Sequence, residues 1–436
     1  MSARVTALHA LIACRKQSAW SDGILKEYIQ RDGLDRRDAA LASRLCYGVL
    51  QSKILLDFYI SHFLRGKLKD LQPVVLDILR LGVYQIVFMD KIPTSAAVNE
   101  SVELGKKYAN RQASGLINGL LRNVVRQKDN LPQPTDLETK YSHSKALTAL
   151  LRENVGDELL EPLLLSHNTP PKTMLQVNPL RGETQAVLHE LEEAGAEPQL
   201  HPWLPNCIVV SGTGNLERLP CFQEGRVYVQ DPAAKLSVLA AAPKENMKVL
   251  DVCSAPGGKS FASAMEMKNR GTIQSCDIHP HKVQLIEKGA ARLGISILSA
   301  CQQDAKTFVP AWENAFDLVI ADVPCSGLGV IRKKPDIREK DLSKLADLPP
   351  LQKEILQNVS RYVKPGGVLL YSTCTILKRE NEEVAQDFLK KNPSFEAEDF
   401  HLCGDLHSQN GMLTLLPCLH DTDGFFICKM RKCNEN

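Results

Sequence analysis

Apolar side chains recur every three or four residues along the first 128 positions, the spacing that places them on one face of an α-helix. The pattern is strongest at residues 5–14, 40–50, 55–64 and 74–89. A last helical run, residues 113–128, carries Gly115 and Gly119, where we expect close packing against another helix. No alternating, strand-like stretch interrupts these runs. This part of the chain therefore predicts a small all-α bundle.

The pattern changes after a polar linker with two prolines that follows residue 128. Short helical runs occupy the stretch up to residue 170. Beyond it, an amphipathic helix at 183–196 lies among strand-like runs at 172–179, 207–212 and 226–231. These short elements predict a small α+β connector.

From residue 231 onward, strand and helix patterns alternate, which is typical of a doubly wound, largely parallel sheet. The strand patterns lie at 247–253, 271–277, 295–302, 316–323 and 367–374. The helical patterns lie at 259–268, 281–294, 348–363 and 380–392. Two last strands, 413–418 and 424–431, predict a terminal antiparallel pair. We expect a seven-stranded sheet whose last strand is reversed.

These patterns predict a multidomain protein with three parts. Residues 1–130 form the helical bundle, 131–230 the helical linker and small α+β domain, and 231–436 a Rossmann-like α/β domain. Hydrophobic residues make up 44% of the chain and no apolar run approaches the roughly 18 residues of a membrane span. The N-terminus lacks the apolar core of a signal peptide, so we expect a cytoplasmic protein without membrane contact.

Charge is distributed unevenly between the three parts. Residues 1–128 carry 20 Lys/Arg against 11 Asp/Glu, residues 129–230 carry 7 against 14, and the remainder carries 26 of each. A basic helical domain joined to a neutral α/β domain is typical of a polyanion-binding module fused to a catalytic one. Solvated surface charge is the alternative explanation.

The 13 cysteines are an odd number, and no pair has the spacing of a zinc ribbon or a thioredoxin-type motif. We expect reduced thiols, most of them small buried hydrophobes. The histidines show no metal-binding spacing either, so we predict no metal.

The stretch 249–259, VLDVCSAPGGK, reads as a buried strand, a Gly-rich turn and the start of a helix. Such a turn is the usual place for a nucleotide-like ligand, because glycines let the backbone approach the ligand closely and the helix N-terminus offers unpaired N–H groups. Asp277 ends the next strand, where a carboxylate can accept hydrogen bonds from ribose hydroxyls. The turn lacks the GxGxxG of a dinucleotide fold and the GxxxxGK[ST] of a P-loop, which disfavours a dinucleotide oxidoreductase.

Two further strands end in cysteines. Cys325 follows Asp322 after the fourth strand, and Cys374 ends the fifth. Since ligand and catalytic groups gather at the carboxyl ends of parallel strands, we expect both thiols near the Gly-rich turn. A thiolate that adds to C6 of cytosine makes C5 able to attack an activated methyl group, and a second group must then assist release. Asp322 suits the N3 edge of the base. The residues alone do not rank the two cysteines.

Basic residues follow the Asp322 loop: Arg332, Lys333, Lys334, Arg338 and Lys340. Beside a nucleic-acid site they would neutralise phosphates and make binding salt-dependent. The alternative is a solvated loop. A cytosine in a loop or single strand is the more accessible target, because a paired base must first be flipped out.

The run from residue 79 to 125 resembles the NusB family of RNA-binding helical domains, and the resemblance extends over roughly residues 5–128. The whole chain resembles the RNA (cytosine-5) methyltransferases of the Nol1/Nop2/Sun family, through CSAPGGK at 253–259, DVPCSGLGVIRKKPDI at 322–337 and STCT at 372–375. Within that family it is similar to the bacterial enzymes that act on 16S ribosomal RNA.

The resemblance implies S-adenosylmethionine as methyl donor and 16S ribosomal RNA as substrate, with no obligate protein partner. It implies that Cys374 is the nucleophile, that Cys325 assists product release, and that Asp322 lies between donor and base. The residues it assigns to the donor are Cys253, Ser254, Ala255, Pro256, Gly257, Gly258, Lys259, Asp277 for the ribose, Asp304 for the adenine side, and Asp322.

The chain departs from the family at a few positions, among them Val323 before Pro-Cys, Thr375 after Cys374, and the run 378–381, KREN. None of these departures removes a reactive group. Two alternatives remain open at this point: the same chemistry on transfer RNA, and a non-catalytic RNA-binding factor. A factor that only binds RNA needs neither cysteine.

Overall fold

The computed structural model describes residues 2–17, 21–212 and 214–434. The chain divides into two compact units. The first extends to Thr169 and also includes the segment Ile331–Lys340; the second comprises Pro170–Val330 and the chain from Asp341 onward. Each unit is described by itself below.

The first unit is helical. Its α-helices are α1 Ala3–Gln17, α2 Ser21–Arg31, α3 Arg36–Phe63, α4 Pro73–Phe88, α5 Thr94–Tyr108, α6 Arg111–Arg126, α7 Leu137–Tyr141, α8 Lys145–Val155 and α9 Asp157–Asn168. The apolar faces of α1 to α6 form one core around fully buried residues such as Leu8, Leu45, Leu79 and Leu121. No strand occurs among the described residues of this unit, which confirms the all-α prediction.

Local sequence explains where several of these helices begin and how closely they pack. Asp35, Asn110 and Ser144 each cap a helix by accepting a hydrogen bond from a backbone N–H of its first turn. A Cβ at Gly48 would lie 2.0 Å from the ring of Tyr84, so only glycine lets α3 and α4 approach here. The expectation that Gly115 and Gly119 allow close helix packing is wrong, because a Cβ added at either position would contact nothing within 4 Å.

The segment Ile331–Lys340 belongs to this helical unit, and Arg338 anchors it. The Arg338 side chain is buried, and its guanidinium donates to five oxygens: the backbone carbonyls of Gln51, Tyr141, Ser142 and His167, and the side-chain oxygen of Asn168. The prediction that Arg338 neutralises RNA phosphates is therefore wrong. Both terminal nitrogens of its guanidinium already donate within the protein, its Nε is buried, and Arg332 is buried as well.

The second unit contains a small antiparallel sheet with strand order β2-β3-β1-β4. The strands are β1 Thr173–Val177, β2 Glu197–Leu200, β3 Cys207–Ser211 and β4 Val227–Val229, and the helices are α10 Thr184–Glu193 and α11 Pro220–Gln223. The predicted helix and three predicted strands are present. The sequence pattern missed β2, because three of its four residues are exposed or polar and one is a proline.

The same unit contains an eight-stranded mixed sheet of order β10-β12-β9-β8-β5-β6-β7, with β11 paired to β12. Its strands are β5 Lys248–Asp251, β6 Thr272–Asp277, β7 Leu298–Gln302, β8 Phe316–Asp322, β9 Val363–Thr373, β10 Phe395–Ala397, β11 Met412–Leu415 and β12 Phe425–Lys432. The helices are α12 Pro232–Ala241, α13 Gly258–Glu266, α14 Pro280–Leu293, α15 Leu348–Val359, α16 Glu382–Lys391 and α17 Pro417–His420.

The five strands β5 to β9 are parallel, and β12 is antiparallel to its neighbours. The reversed last strand agrees with the prediction, but the described residues form eight strands and not seven, since the three-residue β10 left no readable pattern. Strand order reverses at β5, which lies between β6 and β8. Parallel sheets bind ligands at such a reversal, beyond the carboxyl ends of the strands.

Candidate active site

The Gly-rich turn after β5 is shaped by its own backbone contacts. Gly257 has φ +109°, and a Cβ there would lie 2.4 Å from the ring of Phe261. The N–H of Ser254 donates to the carbonyl of Cys276 at 2.8 Å, which ties the turn to β6. Helix α13 begins at Gly258, so its unpaired N–H groups face the carboxyl edge of the sheet.

Four aspartates surround the thiol of Cys253, which lies in this turn. Burial raises the pKa of Cys253, and the charges of Asp251, Asp277, Asp304 and Asp322 raise it further. Burial also raises the pKa of Asp251 to about 7, and its Oδ1 atom has no hydrogen-bond partner among the described residues. Carboxylates gathered at one place suit a ligand that carries positive charge and hydroxyl groups.

Asp277 ends β6 and is buried, with one carboxylate oxygen accepting from the N–H of His279 at 3.0 Å. Asp304 follows β7 and is half-buried, and its side chain accepts from the N–H of Lys306 at 2.9 Å. Both carboxylates are thus held in place by the chain's own N–H groups. Their positions after successive strands agree with the predicted placement at one edge of the sheet.

Asp322, at the end of β8, is held between two donors. Lys259 Nζ lies 2.6 Å from one carboxylate oxygen, and the hydroxyl of Ser372 donates to the other at 2.7 Å. The Lys259 ammonium also lies 5.0 Å from the centre of the Phe425 ring, within the range of a cation–π contact. Lys259, which the sequence placed in the donor loop, therefore directs its charge to Asp322.

The two predicted cysteines lie next to each other, with 3.3 Å between their sulfur atoms. The hydrogen bond between the sulfurs lowers the pKa of the Cys374 thiol, and the charge of Lys259 lowers it further against the opposing effects of burial and of Asp322. The same hydrogen bond, together with burial, raises the pKa of the Cys325 thiol. Cys374 is therefore the more acidic thiol of the pair.

All the predicted site residues thus lie at or just beyond the carboxyl ends of five neighbouring strands, β5 to β9. Sequence reasoning missed the side chains that fasten the two cysteine loops, namely Ser372, Gln352, Glu380 and Asn381. The last two follow Cys374 closely, and their position near a reactive residue was the one available signal.

The described residues contain no group of three or more His, Cys, Asp or Glu side chains arranged to hold a metal ion. No helix among them is long and apolar enough to cross a membrane. All 13 cysteines are free thiols.

Three family models match this chain. The model described as 16S rRNA methyltransferase RsmB/F matches residues 238–431, the NusB family matches residues 1–126, and an RsmF/B-like ferredoxin-like domain matches residues 143–217. Together they confirm the predicted fold: a NusB-like helical part, a small α+β connector, here ferredoxin-like, and a methyltransferase sheet.

Curated relatives match over the same length. The chain is 37% identical to the probable ribosomal RNA small subunit methyltransferase B of Bacillus subtilis, over 99% of both chains. It is 32% identical to the ribosomal RNA small subunit methyltransferase B of Klebsiella pneumoniae, over 91% of this chain and 90% of the relative.

Among solved structures, the protein PH0851 superposes with a TM-score of 0.81 at 27% identity, covering 98% of each chain. The match extends over nearly the whole of both proteins, as do the matches to the curated relatives. The chain therefore belongs to the RsmB/F family of 16S rRNA methyltransferases and is an RNA methyltransferase with a NusB-family helical part at its N-terminus.

Proposed function

We propose that this enzyme transfers a methyl group from S-adenosylmethionine to C5 of a specific cytosine in 16S ribosomal RNA, through a covalent bond between Cys374 and C6 of the base. The observation that carries the proposal is the 3.3 Å approach of the Cys325 and Cys374 sulfurs beside the Lys259–Asp322 ion pair. An RNA-binding factor has no use for such a pair. The names of the relatives support the choice of ribosomal RNA.

The first step needs a thiolate, because C5 of cytosine becomes nucleophilic only after a group adds to C6. The thiolate of Cys374, whose pKa is lowered, attacks C6 and forms the S–C6 bond. The electron pair displaced from the C5–C6 double bond moves toward N3, which gains a proton at the edge that we assign to Asp322. Lys259 Nζ, 2.6 Å from Asp322, is a donor that can supply this proton.

In the second step the sulfur of Cys374 must leave C6 of the base. When C5 takes the methyl group, the bonding pair stays with the donor's sulfur, and the N3 proton returns to the Lys259–Asp322 pair. C5 then loses its own proton to solvent, the C5–C6 double bond forms again, and the S–C6 bond breaks with the electron pair returning to Cys374. The thiol of Cys325 lies where it can donate a hydrogen bond to the departing sulfur. Its raised pKa keeps the proton on Cys325 and available for this bond.

The donor supplies an electrophilic methyl group on a positively charged sulfur. The residues that would hold it are the turn Cys253–Lys259 and the four aspartates around Cys253, whose charge suits a cationic ligand. We assign the ribose hydroxyls to Asp277 and the adenine side to Asp304. The orphaned Oδ1 of buried Asp251 is one more acceptor on this side of the sheet.

We also propose that the basic helical part contacts the RNA, and that the chain works as three domains, residues 1–130, 131–230 and 231–436. Residues 1–128 carry 20 Lys/Arg against 11 Asp/Glu, and this surplus of positive charge supports an RNA-binding role. No feature of the site favours transfer RNA as substrate.

Bisulfite sequencing of total RNA tests the proposal. We expect one 16S cytosine to resist conversion in wild-type cells, to convert in cells that lack the gene, and to resist again when the gene is returned. Return of a Cys374→Ala gene should not restore resistance. If cells that lack the gene lose a methylated cytosine in transfer RNA instead, the substrate is transfer RNA. An unchanged methylation pattern would refute the proposed activity.

A further inference from the structure

Glu380 lies in the turn after Cys374, yet its side chain contacts the loop of the other cysteine. The side chain is fully buried, and one of its oxygens accepts from the N–H of Ser326 and from Nε2 of Gln352, each at 2.9 Å. Gln352 Nε2 also donates to the carbonyl of Pro324 at 3.0 Å. One carboxylate therefore holds the residues on both sides of Cys325.

The next residue, Asn381, makes the corresponding contacts around Cys374. Its Oδ1 atom accepts from the hydroxyl of Thr373 at 2.6 Å, and its Nδ2 donates to the carbonyl of Thr375 at 3.0 Å. Asn381 is fully buried as well. Of these two consecutive side chains, Glu380 therefore contacts the supports of Cys325, and Asn381 contacts the residues on either side of Cys374.

Burying a carboxylate is costly unless its charge is matched by hydrogen bonds, and an apolar side chain of similar size would fill this position more favourably. A buried acidic side chain at this place, beside two thiols, is explained by what it positions. Both of its donors support the Cys325 loop, and neither contacts Cys374 itself, although the Ser326 hydroxyl lies 2.7 Å from the hydroxyl of Thr375 in the other loop. A displacement of about 1 Å at a reacting group can slow a step by roughly 100-fold.

We propose that Glu380 is a positioning residue that holds Cys325 for the release step, and that Asn381 holds Cys374 for the attack. This inference rests on the proposed function, in which Cys374 forms the bond to RNA and Cys325 assists its breakage. Because the two side chains are adjacent in the chain and equally buried, each serves as the control for the other.

The experiment follows two quantities in the full-length protein with unmodified 16S RNA transcript and labelled methyl donor. Denaturing electrophoresis measures the covalent protein–RNA complex, and release of methylated RNA measures turnover. We expect Glu380→Ala to accumulate the complex and to release product about 100-fold more slowly, which is the result also expected of Cys325→Ala. Asn381→Ala should instead form about 100-fold less complex.

Two further variants separate positioning from loss of folding. Glu380→Gln keeps an acceptor for the Ser326 N–H, so it should recover most of the turnover that Glu380→Ala loses. Glu382→Gln, which removes a carboxylate that accepts from Thr414 and contacts neither cysteine loop, should behave like the wild type. Circular dichroism confirms that each variant is folded at the assay temperature.

Equal losses of complex formation and release in Glu380→Ala and Asn381→Ala would overturn the inference, since they are what a purely structural role produces. So would a Glu380→Gln variant as defective as Glu380→Ala. If Cys325→Ala itself fails to accumulate complex, the proposed roles of the cysteines fall, and the inference falls with them. If Cys325→Ala accumulates complex and Glu380→Ala does not, only the inference fails.

Discussion

The sulfur atoms of Cys325 and Cys374 lie 3.3 Å apart although 49 residues separate them in the chain. Their strands explain the approach: β8 and β9 are parallel neighbours, and Asp322 at the end of one pairs with Ser372 near the end of the other. The two loops therefore start at the same level of the sheet. Of the two thiols, Cys374 is the one whose pKa is also lowered by the charge of Lys259.

Replacing Lys259 should reveal how much its charge activates Cys374. After the hydrogen bond from Cys325, the Lys259 ammonium is the next group that lowers the pKa of Cys374. In Lys259→Met that pKa rises, less thiolate is present at neutral pH, and the pH–rate profile of methyl transfer moves to higher pH. We expect a loss of about 10- to 100-fold at pH 7, because the charge-assisted hydrogen bond to Asp322 is lost with the ammonium and the carboxylate that raises the pKa of Cys374 is left unneutralised.

Lys268→Met provides the control for this change, since Lys268 is exposed and pairs with Glu245 away from the thiols. Its profile should match that of the wild type. A Lys259→Met profile of unchanged shape, with only a lower plateau, would show that Lys259 acts through some property other than its charge on Cys374.

Donor binding should depend on Asp277. A buried carboxylate that accepts ribose hydroxyls contributes roughly 1.5–3 kcal/mol, so Asp277→Asn should weaken binding of S-adenosylhomocysteine about 10- to 100-fold by titration calorimetry. Glu287→Gln, an exposed change on α14, should leave the affinity unaltered. Equal affinities in Asp277→Asn and wild type would remove Asp277 from the donor site.

Sequence periodicity predicted the strands and their ends well, because each strand is a local pattern and parallel strands bring their carboxyl ends together by rule. That was enough to predict Asp322, Cys325 and Cys374 as neighbours. The role of Glu380 was not predicted, because its contact with Ser326 spans 54 residues and its own neighbourhood reads as the start of a surface helix. Long-range hydrogen bonds of this kind leave no periodic signal.

The prediction that Arg338 neutralises RNA phosphates was wrong for a related reason. A basic run after a catalytic loop has the composition of a phosphate contact, and nothing local shows that the guanidinium is buried among backbone carbonyls of the helical unit. For Gly115 and Gly119 the sequence predicted helix contacts that the structure lacks, since a Cβ at either position would lie in open space. Gly48 has no special sequence pattern, yet it lies where two helices meet.

Removing Arg338 should loosen the helical unit. Each buried acceptor left without a partner costs roughly 1–3 kcal/mol, so Arg338→Met should destabilise this unit by about 3 kcal/mol or more. Hydrogen exchange of the full chain should then be faster in residues 141–168. Lys334→Met, an exposed change in the same segment, should exchange like the wild type. Unchanged protection in Arg338→Met would show that its hydrogen bonds contribute nothing.

Two buried histidines should make the helical unit acid-sensitive. His143 and His167 are hydrogen-bonded to each other at 3.1 Å. Burial and then the charge of Arg338 lower both pKa values, that of His167 to about 3. The unfolded chain binds protons at both positions below pH 6.5 while the folded chain does not. Stability is therefore fully present above pH 6.5 and is lost as pH falls toward 3.

The expected loss is about 1.4 kcal/mol per pH unit for each histidine. Urea unfolding at pH 7.5, 6.5 and 5.5 measures it, and a double His143→Gln, His167→Gln variant should show a flatter dependence over the same interval. The same slope in the double variant would assign the acid sensitivity to other groups.

Denaturing electrophoresis of Cys374→Ala and Cys325→Ala, after incubation with 16S RNA and labelled donor, distinguishes the cysteine that forms the bond to RNA from the one that assists its breakage. We expect a stable covalent protein–RNA complex with Cys325→Ala, and neither complex nor methyl transfer with Cys374→Ala. A complex that accumulates with Cys374→Ala and is absent with Cys325→Ala would reverse the roles of the two cysteines.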